Sequence, residues 1–76
     1  MTDSTNRYAI VVFWSDADGG WIADVPDLKS CSAFGATREE AVAEVGVAIE
    51  AWIAAAREAG LEIPPPRFQP EHEAAE

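Results

Sequence analysis

The chain is poor in the residues that staple or activate small proteins. Its 76 residues include one cysteine, Cys31, and one histidine, His72. A single cysteine cannot close an intrachain disulfide, and a lone thiol with one distant histidine does not make a zinc site, so no cofactor or metal is expected. Cations are scarce too: five Lys and Arg stand against fourteen Asp and Glu, for a formal net charge of -9. Nucleic-acid binding depends on cationic side chains that release counterions from phosphates, so direct binding of DNA or RNA is not expected. No apolar run approaches the ~18 residues of a membrane-spanning helix, and the polar start at residues 1–7 is not a signal peptide. A cytoplasmic protein without a membrane partner is expected. The acidic surplus itself confers solubility and also suits a basic protein partner through steering and complementary potential.

A chain of this length forms one small domain, which buries only about 60% of the surface its unfolded chain exposes. Marginal cores of that kind need a staple. With disulfide and metal both excluded, self-association is the staple left, as a dimer or a tetramer built as a dimer of dimers.

Residues 8–14 are β-branched or aromatic apart from Ala9 and apolar at both parities, which reads as a strand buried on both faces and central in its sheet. Ser15, Asp16, Asp18, Gly19 and Gly20 supply the turn of a hairpin into a second strand at residues 21–25. Pro26, which has no N–H, ends that strand and Asp27 favours a turn. A short third strand follows at residues 31–34, and Gly35 allows a sharp exit. Thr37 and Glu40 have capping-box spacing and open a helix over residues 38–59. There Val42, Val45, Ile49, Trp52 and Ala56 recur at steps of three and four, widened by Ala41, Ala48 and Ile53. Glu39, Glu40 and Glu44 favour its N-terminal end, and Gly60 with Leu61 has the form of a Schellman stop. At 1.5 Å per residue such a helix runs about 33 Å, longer than three short strands can cover. Its far end is therefore a candidate contact between copies, with Trp52, Ile53 and the mid-helix Gly46 as candidate interface residues. The three prolines at 64–66 allow at most a short edge strand 4, and residues 1–7 and 67–76 are expected to be flexible termini around a domain at residues 8–66.

Candidate chemistry is thin. Counted from Asp16, the acidic hairpin puts Trp21 where a calcium loop requires glycine and Asp27 where it requires glutamate, so an ordinary turn is expected. Ser30, Cys31 and Ser32 lack a neighbouring base, and His72 lies in the acidic tail between Glu71 and Glu73. Trp14, Trp21 and Trp52 are expected in the core.

The order and spacing of several of these residues resemble the HicB-like antitoxin family. They are Val25, Pro26, Asp27 and Leu28, then Cys31, Gly35, Thr37 and Glu39 to Ala41, preceded by the strand from Tyr8 and followed by Gly60, Ile63 and Pro64. The resemblance covers roughly residues 8–66. It implies an α+β domain with a partial ribonuclease H-like fold, an antiparallel three-stranded meander followed by one long helix (β-β-β-α). It also implies a partner, a small basic HicA-type toxin that cleaves RNA and is silenced by binding. A full enzyme of that fold places an aspartate in its first strand, to help hold two metal ions. Residues 8–14 contain no acidic side chain, so the chain is expected to be no enzyme. Many family members continue into a DNA-binding domain, which a short acidic tail does not supply, so autoregulation through DNA is not implied. Asp16, Asp18, Glu71 and Glu73, acids the core does not need, are the candidate partner-binding residues. Two alternatives stay open at this point: an orphan homo-oligomeric scaffold domain and a binder of a small ligand between subunits.

Overall fold

The computed structural model describes residues 7–69. Among these residues three strands, β1 (Val11–Ser15), β2 (Gly20–Asp24) and β3 (Ser32–Gly35), precede one helix, α1 (Arg38–Ala59). The strands pair antiparallel in the order β1-β2-β3. This is the expected β-β-β-α arrangement of an α+β domain.

Register decides which residues meet the helix. Val12 pairs with Ala23, Trp14 with Trp21, and Ala23 with Ala33. Side chains of paired residues share a face, so these residues form the side on which α1 packs. Ala23 is fully buried there, with Val25, Leu28 and Cys31 beside it. From the helix, Ala41, Val45, Ile49 and Ile53 complete the core, joined by Tyr8. The buried stripe thus steps by four from Ala41, and Val42 falls at its margin, 41% exposed.

Both helix ends follow from local chemistry. Thr37 Oγ1 accepts a hydrogen bond from the Glu40 backbone N–H at 3.1 Å, and Glu40 Oε1 accepts one from the Ala36 N–H at 2.9 Å. The glutamate therefore reaches back one residue beyond the cap. At the other end Gly60 takes the left-handed conformation with φ 73°. The Leu61 N–H then donates to the Ala56 carbonyl at 2.8 Å and the Gly60 N–H to that of Arg57 at 3.2 Å. That is the Schellman pattern.

Two expectations are corrected. The first strand is neither central nor buried on both faces: it begins at Val11 and lies at the sheet edge, with Phe13 46% and Trp14 49% exposed. Its apolar residues at both parities report a need for cover on two faces, and α1, which lies over β3 and β2 more than over β1, does not provide it. The fourth strand is also absent among the described residues, where 61–69 carry no strand. Three successive prolines offer no N–H to a ladder. This segment is instead held by side chains. The Tyr8 hydroxyl donates to the Pro64 carbonyl, and the Asp27 carboxylate accepts from the backbone N–H groups of Arg67 and Phe68, each at 3.0 Å.

The turn between β2 and β3 does more than reverse the chain. Leu28 inserts into the core, and its flanks close through Val25 N–H to Cys31 O at 3.0 Å and Cys31 N–H to Leu28 O at 3.2 Å. Ser30 takes a left-handed φ of 61° to complete it. Trp52 Nε1 on the helix donates to the Lys29 carbonyl at 3.0 Å, fastening turn to helix.

Two glycines make opposite predictions. A Cβ at Gly35 would overlap the Ala41 backbone nitrogen and lie 2.8 Å from its Cα, so Gly35→Ala should destabilise by about 3 kcal/mol or more, read as a lower urea midpoint. Nothing lies within 4 Å of a Cβ at Gly46, so Gly46→Ala should stabilise by up to about 1 kcal/mol in the same assay. Loss of the Thr37 cap in Thr37→Ala should cost about 1 kcal/mol, measured as a fall in the thermal or urea midpoint.

Candidate protein-binding face

Because α1 covers one side of the sheet, the alternate residues of every strand face outward. Phe13 pairs with Ile22, and Ile22 with Phe34, so three large apolar side chains stand in line across all three strands. Phe13 and Phe34 are 46% and 48% exposed, and Ile22 between them is half-buried. The exposed Val11 extends the line along β1. Gly20 sits under the Phe34 ring, where a Cβ would collide with the ring carbons. That glycine lets the ring lie flat along the sheet. Contiguous apolar surface of this kind, on a chain with many charges to spare, makes this face the candidate site of interaction.

Acidic groups rim the row. Asp24 pairs with Val11 on one side and Ser32 on the other, placing its carboxylate on the open face. Asp16 and Asp18 lie at the exposed hairpin tip, and each has a structural partner: Trp14 Nε1 donates to Asp16 Oδ1 at 2.7 Å, and Ser15 Oγ donates to Asp18 Oδ2 at 2.9 Å. Both acids therefore brace the turn as well as charge it. Glu71 and Glu73 lie outside the described residues.

The three candidate interface residues of the helix are not brought together. Ile53 is buried in the chain's own core, Trp52 is half-buried with its indole N–H given to Lys29, and Gly46 opens onto free space. Trp21 packs against the core with the Arg38 guanidinium 4.4 Å above its ring, and Trp14, itself half-exposed on the same side of the sheet, meets it edge-on at 5.6 Å. Sequence reasoning assigned Trp14 to the core and did not isolate Phe13, Ile22 and Phe34. The available signal was their spacing: Phe13 and Ile22 share a face once the turn from Ser15 to Gly20 is set.

Among the described residues Cys31, Tyr8 and Asp27 are each occupied or shielded. Burial pushes the Cys31 thiol up, and the Asp24 carboxylate adds to the shift, which keeps it protonated and unreactive. Burial, then the charge of Asp27, raises the Tyr8 phenol, consistent with its role as a donor. Asp27 has both oxygens engaged by backbone N–H groups. Among the described residues no three His, Cys, Asp or Glu side chains are placed to hold a metal ion, and no helix is long and apolar enough to cross a membrane.

The arrangement is suited to binding: among the described residues Cys31, the one cysteine, is buried and held protonated. A family model described as HicB_like antitoxin of bacterial toxin-antitoxin system matches residues 8–75. No match is found among curated proteins or among solved structures. If the outward row is surface rather than core, Phe34→Ser should lower the binding of a hydrophobic dye while leaving the far-ultraviolet helix signal in place, with an unfolding midpoint moved far less than by Gly35→Ala.

Proposed function

The chain belongs to the HicB-like antitoxin family, and from that premise we propose that its open sheet face docks a small basic toxin of the HicA type and covers the surface with which that toxin cleaves RNA. Membership implies a toxin partner in general and a non-catalytic, regulatory role. The identity of the toxin and the face that receives it are the proposal.

The observation that carries it is the apolar row Phe13, Ile22 and Phe34 beside the acids Asp16, Asp18 and Asp24. Apolar area supplies the holding energy, and acidic groups at its margin supply steering and register. A surface that binds RNA must be cationic, so a chain of net charge -9 is complementary to it and itself repels RNA. Occlusion then needs no chemistry from this chain. It acts as a plug whose occupancy excludes the nucleic acid.

Coexpression with the toxin encoded beside it tests the reading: the chain should relieve growth arrest and copurify with the toxin. Substituting Asp16→Asn and Asp18→Asn removes charge but keeps the acceptor oxygens that brace the hairpin. The pair should slow association at low salt and converge with the parent at high salt, because exposed charges are screened beyond about 10 Å at 0.1 M. Phe34→Ser should act on dissociation instead, by roughly 2 kcal/mol if it is an anchor. A toxin that binds neither on coexpression nor with purified chain would leave an orphan module as the alternative.

A further inference from the structure

The central strand ends on an aspartate whose oxygens no described residue uses. Aspartate is depleted in strands and ill suited to an apolar face, yet Asp24 closes β2 with Val11 opposite it on β1, Ser32 opposite it on β3 and Ile22 next along the same side. Among the described aspartates, Asp16 accepts from Trp14, Asp18 from Ser15 and Asp27 from Arg67 and Phe68, whereas Asp24 accepts a hydrogen bond from none of the described residues. A half-buried carboxylate in that state is open to a donor from outside the chain.

Gly20, at the opposite end of β2, keeps the approach clear. The Phe34 ring lies over Gly20, so it leans towards the hairpin and away from Asp24, which leaves Ile22 and the exposed Ser32 bordering the carboxylate. The outcome is a short apolar track that ends on oxygen acceptors.

We propose that Asp24 is the specificity-determining residue of the open face and seats one arginine side chain of a protein partner, its stem along Ile22 and Phe34 and its guanidinium across the Asp24 carboxylate and the Ser32 hydroxyl. Arginine suits the site better than lysine. Its methylene stem packs on apolar surface while its planar fork offers donors to both carboxylate oxygens and to a neighbouring hydroxyl at once, and it is more weakly hydrated than a point-like ammonium. The hairpin acids cannot do the same work, because they stand at an exposed tip with internal bonds of their own. A net charge of -9 attracts a basic protein from any direction, but Asp24 gives it one fixed point beside the apolar row, which sets register and rejects a partner without the matching cation.

For the identity of the partner the inference rests on the toxin reading, and its test separates the two. Asp24→Asn keeps the size of the side chain and should raise the Kd for the toxin about 30-fold, through faster dissociation and with little relief at high salt, unlike Asp16→Asn with Asp18→Asn. In a double-mutant cycle it should couple to one toxin arginine replaced by alanine, each substitution having little effect once the other is present. If Phe34→Ser weakens the complex and Asp24→Asn does not, the binding face stands and the arginine seat is overturned; if neither weakens it, both fall. The unaltered chain gives a reading that needs no toxin: N-acetyl-arginine amide at millimolar concentration should shift the backbone amide signals of Asp24 and Ser32 more than those of Asp16 and Asp18, and N-acetyl-lysine amide should shift them less. Changes centred on the hairpin acids, or equal for the two amides, would overturn the proposal whatever the toxin does.

Discussion

The rest of the structure depends on how closely α1 approaches the end of β3. Gly35 presents no side chain to Ala41, so strand and helix backbones come into direct contact at the junction. Only Ala36 then separates the strand from the Thr37 cap, and the helix is committed to lie over β3 and β2. Everything distinctive about the surface follows. The helix side of β1 is only partly sheltered, no helix or strand among the described residues packs on the outer face of the sheet, and a groove opens beside Val12 and Val42. A larger residue at 35 would push the helix away and lose both the packing and the placement of those surfaces.

A core this small is held by polar pins at points where apolar area runs out. Trp52 reaches the Lys29 carbonyl, Tyr8 the Pro64 carbonyl, and Asp27 the backbone of Arg67 and Phe68. Each contributes about 1 kcal/mol net, more where a carboxylate is the acceptor, but their positions matter more than their sum. The first ties helix to turn, and the other two close the C-terminal segment onto the N-terminal strand approach and the same turn. With Leu28 buried at its centre, that turn is the hub through which segments far apart in sequence are kept in place.

Legibility in the sequence tracked the range of the interactions. Thr37, Glu40 and Gly60 could be read because caps are completed within a few residues, and strand order in a meander follows from short hairpin turns. The place of β1 could not be read, because apolar residues at both parities state that a strand wants cover without saying whether the same chain supplies it. The stripe on α1 was legible to within one residue: Val42 belongs to the 3.6-residue pattern, yet only the offset of the helix decides that it falls outside. Asp27 was legible as a turn residue, but its partners lie forty positions away and leave no local trace. The outward row shares that property, being composed of residues from three strands.

The distribution of charge carries the last step. Fourteen acidic residues are enough to dilute any apolar surface on a chain this short, yet none falls within Val11–Ser15 and only Asp24 stands on the open face of the strands. Solubility alone would scatter them evenly, since an exposed carboxylate anywhere serves that end. Among the described residues, Asp16 and Asp18 stand at the hairpin tip and Glu39, Glu40, Glu44, Glu50 and Glu58 lie on the helix across the sheet, so that only Asp24 and the hairpin acids flank the bare face. A dry centre with a charged rim is the anatomy of a recognition surface, in which apolar contact sets lifetime and peripheral charge sets encounter and partner choice. In the proposed toxin complex, the first part falls to Phe13, Ile22 and Phe34 and the second to Asp16, Asp18 and Asp24.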